Sequence, residues 1–285
     1  MQYTNKDIVL QLSNVNIGYV DLEGNVKPIL RDINLTEYDI VREGIESTGQ
    51  TVAILGRSGR GKSTLFKALT GLLDPIATRY SGEIKINDTS SSVEGQGPIA
   101  KIVTAGDIGF VDQKYTIFRH KKIIDTFRYA LRKNAMAKAD KEALIESYLV
   151  EWGLQPHKDK YPCELSGGQR QRVAIIEKLL ISKVFMVLDE PFSGLDVGNI
   201  KKVAESFEKI SVANEYNTII FSTHDIQLAI EMADSIYVIG HEKPDDESST
   251  IIKHYDLKAL GLAWSEYGPK HDELRKEIRT VIENS

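Results

Sequence analysis

Residues 56–63 read GRSGRGKS, set between the apolar run TVAIL (51–55) and the helical pattern KSTLFKALTGLL (62–73). Nothing else in the chain restricts its fold as much. A strand, a turn carrying three glycines and a helix must follow one another directly. The glycines let backbone N–H groups curl around a phosphate chain, the lysine reaches the terminal phosphates, and the serine hydroxyl can ligate Mg²⁺. Gly56, Ser58, Gly59, Gly61, Lys62, Ser63 and Thr64 are therefore the expected phosphate-binding set, with Ser63 also a metal ligand. The pattern assigns no role to Arg57 or Arg60.

Strands and helices continue to alternate beyond this loop. VFMVL (184–188), TIIF (218–221) and SIYVI (235–239) are continuous apolar runs, with helical stretches at 199–215 and 225–233 between them. Such runs predict a parallel sheet covered on both faces. The N-terminal part differs, because alternating segments such as IVLQLSNVNI and GEIKIN predict antiparallel strands. A helical block spans roughly 118–160, and residues 37–49 and 88–107 read as an acidic and a Ser/Gly-rich loop. Leu274, Ile278 and Val281 lie at helical spacing, which predicts an amphipathic helix packed on its own domain.

Two further stretches carry chemistry. VFMVLDE (184–190) brings Asp189 and Glu190 to the C-terminal end of a strand, where ligands bind in open α/β sheets. Asp189 can hold Mg²⁺ there and Glu190 can polarise a water. ELSGGQRQR (164–172) places a serine and two glycines at a helix start, which makes an anion site of unpaired amides.

Composition removes several classes of function. At 285 residues, 41% hydrophobic and 27% charged, the chain can bury a full core. No run approaches eighteen apolar residues, and the opening MQYTNKD is too polar for a signal peptide. A single cysteine, Cys163, excludes an intrachain disulfide and a multi-cysteine metal site, and indicates a reducing compartment. The formal net charge of −5 argues against nucleic-acid binding. Residues 114–141 nevertheless hold nine Lys/Arg against two acids, leaving −12 on the remainder.

With GRSGRGKS, LSGGQ and VFMVLDE in this order, the sequence resembles the ATP-binding subunit of ABC transporters. Gln113 in IGFVDQ, the SGLD of 193–196, His224 in FSTHD and Tyr19 in NIGYVDLEG match further elements of that family, and the likeness runs from about residue 8 to 240. A shorter likeness, at 250–264, is to nitrate-, sulfonate- and taurine-type importer ATPases. Glu177-Lys178 after the signature and the length of the 37–49 segment depart from the pattern.

The resemblance implies an α/β fold: a P-loop NTPase with a mainly parallel core sheet flanked by helices, an N-terminal antiparallel β subdomain and an inserted helical subdomain. The whole chain, 1–285, would be one ATPase domain, with the helical subdomain at about 118–165 and an extension at 241–285. It implies Mg²⁺-dependent ATP hydrolysis in a head-to-tail dimer, with Glu190, His224 and Gln113 catalytic and Ser63, Gln113 and Asp189 around the metal. Tyr19 would stack on adenine, Asp196 would belong to the nucleotide site, and Ser166, Gly167, Gly168 and Gln169 would hold ATP lying on the other subunit. Implied partners are a second ATPase subunit, identical or related, integral membrane subunits and a substrate-binding protein, with the chain cytoplasmic and peripheral on the inner membrane face. A soluble ABC-type ATPase without a pore, such as one for iron–sulfur assembly, is the alternative.

Overall fold

Strand β3 (Gln50–Leu55) is buried along its whole length. The computed structural model to which it belongs describes residues 3–42, 49–88, 99–181, 185–195, 198, 200–201, 203–205, 207 and 217–285. On the N-terminal side, β1 (Tyr3–Val20) pairs antiparallel with β2 (Val26–Arg42) and with β4 (Thr78–Asp88), which in turn pairs with β5 (Ile99–Ile102). The second sheet has β3 between β8 (Thr218–Ser222) and β9 (Ser235–Gly240), both parallel to it. It continues outward through β7 (Phe185–Leu188) to β6 (Gly109–Val111) on one side, and through β9 to the antiparallel β10 (Thr250–Asp256) on the other.

The apolar runs are continuous because this second sheet is covered on both faces. Val52 and Ile54 of β3 face a core shared with the antiparallel sheet and with α1 (Lys62–Leu69). Ala53 and Leu55 face the opposite core. That core takes in α2 (Ile123–Ala130), α3 (Lys138–Glu151), α4 (Gly167–Ile181), α5 (Ile226–Met232) and α6 (Pro269–Glu283). The expected α/β architecture, with its antiparallel N-terminal sheet and helical insertion, is the one observed. No described helix is long and apolar enough to cross a membrane.

Three local expectations change. Helix α1 stops at Leu69, not at residue 73, because Gly71 adopts φ 65° and lets the Leu72 amide donate to the Lys67 carbonyl (2.8 Å). Residues 37–42 are not loop but the end of β2, with Ile40 opposite Asn5 and Arg42 opposite Tyr3. Within 88–107, residues 99–102 form β5, and 43–48 and 89–98 lie outside the described residues, as does most of the 199–215 stretch. The Gln-Arg-Gln-Arg run of 169–172 forms part of α4, half-buried at its first two residues and buried at the next two. α4 packs against α2 and β6, so Gln171 is fully buried, and its side-chain amide finds no partner among the described residues. Leaving that amide unpaired costs about 1–3 kcal/mol. In α6, Leu274 and Ile278 are buried as their spacing predicts, and His271 joins them.

A carboxyl group is buried where β2 meets the C-terminal segment. Glu37 is 3% exposed; the Ser235 hydroxyl donates to its Oε2 (3.3 Å), and its Oε1 has no partner among the described residues. Lys258 stands beyond Ser235, donating to that hydroxyl (3.0 Å). Burial outweighs the lysine's charge and pushes Glu37 up to about 7 from the ordinary 4.5. The folded state therefore binds this proton more tightly than the unfolded chain does. Its stabilising contribution is complete below the unfolded value and is lost as pH rises through the folded one. Between about pH 5 and about pH 8 this group alone should remove up to about 3 kcal/mol. Glu37→Gln should abolish that part of the slope in urea unfolding; an unchanged slope would exclude Glu37 as its source.

Candidate functional site

The turn after β3 is built by close approach. Gly56 has φ 152°, and a Cβ there would run into the Ile239 carbonyl oxygen of β9. Gly61, at φ 88°, opens α1 with its Cα against the Leu30 side chain, 2.7 Å from where a Cβ would lie. Lys62 folds back over the loop, its Nζ donating to the carbonyls of Gly56 (2.7 Å) and Arg57 (3.2 Å). Burial lowers the Lys62 pKa, and the nearby charges of Glu190 and Asp189 oppose that shift.

This loop forms one wall of a cavity of about 690 Å³. The structure brings Tyr19, Gln113, Asp189, Glu190 and His224 to the same cavity as Gly56, Ser58, Gly59, Gly61, Lys62, Ser63 and Thr64. Tyr19 reaches over from β1, its hydroxyl 3.2 Å from Thr64 Oγ1. Gln113 is exposed at the exit of β6, in a turn held by Asp112, whose carboxylate accepts from the Thr116 amide (2.9 Å). Asp196 lies outside the described residues.

The acidic edge is organised by a hydroxyl that the sequence reading passed over. Ser222 Oγ donates to Asp189 Oδ1 (2.7 Å) and accepts from the Glu190 amide (2.9 Å). Glu190 sits at φ 52°, an uncommon backbone region for a residue with a side chain. Its Oε2 is 2.9 Å from His224 Nδ1. A carboxylate only accepts, so Nδ1 carries the proton and donates. Glu190 is largely buried and His224 largely exposed, which places the histidine at the cavity's open side. Tyr115, also unforeseen, stands near enough to Glu190 that the carboxylate, after burial, raises its hydroxyl pKa. The position of Ser222 at the end of an apolar strand, two residues before His224, was the available signal.

The donor set suits magnesium. A hydroxyl (Ser63), an amide oxygen (Gln113) and a carboxylate (Asp189) are hard oxygen ligands. Among the described residues no group of three His, Cys, Asp or Glu side chains could make a metal cage. Such a site relies on phosphate oxygens for the remaining positions.

The signature residues lie elsewhere. None of Ser166, Gly167, Gly168 and Gln169 lines the cavity of its own chain. Ser166 caps α4 reciprocally with Gln169: Ser166 Oγ accepts from the Gln169 amide (3.3 Å), and Gln169 Oε1 accepts from the Ser166 amide (2.9 Å). The Ser166 amide, expected to face an anion, is therefore already used. The start of the helix, with Gly167 exposed and Gly168 half-buried, is where a helix has orphan donors. Gln169 also reaches His157 (Nε2 to Nε2, 3.0 Å), tying the signature to the helical region.

The family model described as ABC transporter matches residues 45–193, more than half of the chain and the span from the phosphate loop through Glu190. The chain belongs to the ABC transporter family. A sulfate/thiosulfate import ATP-binding protein of Synechococcus elongatus is 32% identical over 93% of this chain and 69% of its own length. The corresponding protein of Synechocystis is 36% identical over 75% of this chain, which spans only 54% of that relative. Among solved structures, cbiO1 of Clostridium perfringens, part of the ABC transporter complex cbiONQ, superposes with a TM-score of 0.65 at 25% identity, covering 90% of this chain and 91% of its own. A dimeric post-hydrolysis ATP-binding cassette bound to ADP and Pi shares the fold at 22% identity, with a TM-score of 0.65 over 87% of this chain and 98% of its own. The chain is an ATP-binding subunit of this transporter class, an ATPase that binds nucleotide, and the pore-free alternative finds no support among these relatives.

Gly56 gives a direct test of the site's geometry. Gly56→Ala puts a methyl against the Ile239 carbonyl in a backbone region that L-residues avoid. It should lower stability by about 2 kcal/mol or more and cost ATP binding, read by thermal melting and nucleotide titration. Parent-like melting and binding would show that the loop can move away from β9.

Proposed function

We propose that the chain, as one ATPase domain over 1–285 with a helical subdomain at about 118–165 and an extension at 241–285, hydrolyses Mg²⁺-ATP in a head-to-tail dimer and so drives import through separate integral membrane subunits. The observation that carries this reading is the bonded run His224–Glu190–Ser222–Asp189, set in one cavity with Lys62. Import is favoured because the relatives that match most of this chain are named import ATP-binding proteins, and sulfate and thiosulfate are the first substrates to assay. The setting is the inner face of the cell membrane, with a substrate-binding protein upstream.

In this reading Lys62 leaves the Gly56 and Arg57 carbonyls to meet the terminal phosphates, and the loop amides cradle the chain between them. Ser63, Gln113 and Asp189 hold the magnesium, which would neutralise charge on the phosphates. Glu190 accepts a proton from the attacking water, and His224 keeps the carboxylate oriented from the open side. Tyr19 borders the base. The Gly167 and Gly168 amides, outside their own chain's cavity, close over ATP held by the other subunit, with Asp196 at that junction.

Glu190→Gln keeps the side chain's size and removes the base. ATP should still bind, hydrolysis should fall by about 10² or more, and an ATP-loaded dimer should persist in gel filtration. Hydrolysis within threefold of the parent would reassign the base (about the scatter of a single hydrogen-bond change). The shared site has its own test. Ser166→Arg and Lys62→Ala should each be inactive alone, whereas a mixture of the two chains should recover one composite site and part of the activity. Loss of ATP binding by the isolated Ser166→Arg chain would place Ser166 in its own chain's cavity.

A further inference from the structure

Arg60 stands at the crest of the phosphate loop between Gly59 (φ 81°) and Gly61 (φ 88°), yet unlike its neighbours it does not line the cavity. Its guanidinium turns outward. Nη2 donates to the Ser285 carbonyl (3.0 Å), and Nη1 lies 2.9 Å from His241 Nε2 and 3.1 Å from Nδ1. Nearly equidistant from both ring nitrogens, the cation packs against the imidazole as a whole, and its charge disfavours a protonated ring. Burial and the arginine's own charge both lower the His241 pKa, which favours the neutral form.

Both anchors are themselves fixed. His241 follows directly on β9, and its loop is pinned to β2 by Arg31, which binds Glu242 (2.6 Å) and Asp246 (3.0 Å). Ser285 follows the last turn of α6 and is buried against Gly240, where a Cβ would come within 2.5 Å of the serine's. The guanidinium thus also meets the carbonyl end of α6, the end at which a helix favours a cation. The same last turn supplies Ile282 to the wall of the nucleotide cavity.

We infer that Arg60 is a positioning residue for ATP, and that the end of α6 with His241 forms a tether holding the crest of the phosphate loop in its binding shape. A loop with glycines on either side of the crest has much backbone freedom to lose. Anchoring Arg60 outside the cavity removes that freedom before nucleotide arrives, and preorganisation of this kind appears in binding affinity. Ground state and transition state use the same cradle, so the tether acts on KM and leaves kcat in place.

The inference rests on ATP occupying this cavity, and the full-length chain allows both points to be read separately. Equilibrium binding of a fluorescent ATP analogue and phosphate-release kinetics are measured for the parent, Arg60→Ala, Arg60→Lys, His241→Ala and the Arg60→Ala/His241→Ala pair. Arg60→Ala should raise Kd and KM about tenfold, the loss of roughly one charged hydrogen bond, with kcat within about twofold. Arg60→Lys, with one nitrogen for two acceptors, should recover part of this. His241→Ala alone should weaken binding, and the pair should be no worse than Arg60→Ala. If Arg60→Ala melts much earlier than the parent, the same split is read from His241→Ala, which keeps the arginine. A parent that binds no ATP overturns the nucleotide reading and this inference with it. A parent that binds while Arg60→Ala binds equally well overturns the inference alone. So does a silent His241→Ala with full recovery by Arg60→Lys, which would make Arg60 a phosphate-steering charge.

Discussion

The parallel register around β3 is the constraint on which the rest depends. Ile54 of β3 lies opposite Ser222 of β8, Leu55 opposite Val238 of β9, and Leu188 of β7 opposite Phe221 of β8. Strands aligned in this way end together, so the phosphate loop, Asp189, Ser222 and the segment leading to His224 emerge along one edge. A slip of one residue in any of them would turn its side chains to the other face and separate the groups. Burial on both faces makes such a slip expensive, because each core would receive side chains sized for the other.

Electrostatics within that edge is a balance and not a sum of favourable pairs. Lys62 is desolvated enough to lower its pKa, yet two carboxylates across the cavity work in the opposite direction. The basic block of 114–141 is likewise less free than its composition suggests. Arg128 is held by Glu142 in two bonds (2.9 and 2.8 Å) and by Asp125 (3.3 Å), and Arg132 lies over the Tyr129 ring at 3.8 Å. Charge counted along a sequence overstates the charge a surface can offer to a partner.

Most of the fold was legible because its signals are local and short in range. GRSGRGKS needs a strand before it and a helix after it, and β3 and α1 stand there. The cavity likewise gathers Tyr19, Gln113, Glu190 and His224 from four separate segments, each recognised by its own neighbours in sequence. What escaped the sequence depends on contacts across the fold. The burial of Gln171 has no local signal and follows only from the packing of α4 against α2 and β6. Residues 37–42 read as an acidic loop, since only pairing with β1, distant in sequence, makes a strand of them. Ser222 looks like an ordinary strand-exit serine, and the bond it makes to Asp189 spans 33 positions.

The seating of Ser285 against Gly240, with Ile282 in the cavity wall, bears on where this protein can be cut and rejoined. Gly240 ends the last parallel strand and would be a natural seam for a chimera, with a relative's core before it and this chain's tail after it. Such a seam would run through the site's own wall. A foreign tail would have to supply a carbonyl for the arginine and an apolar side chain at the matching height, or leave a gap beside the nucleotide. Core and tail are interchangeable parts on a topology diagram, but in this molecule they are one fitted surface.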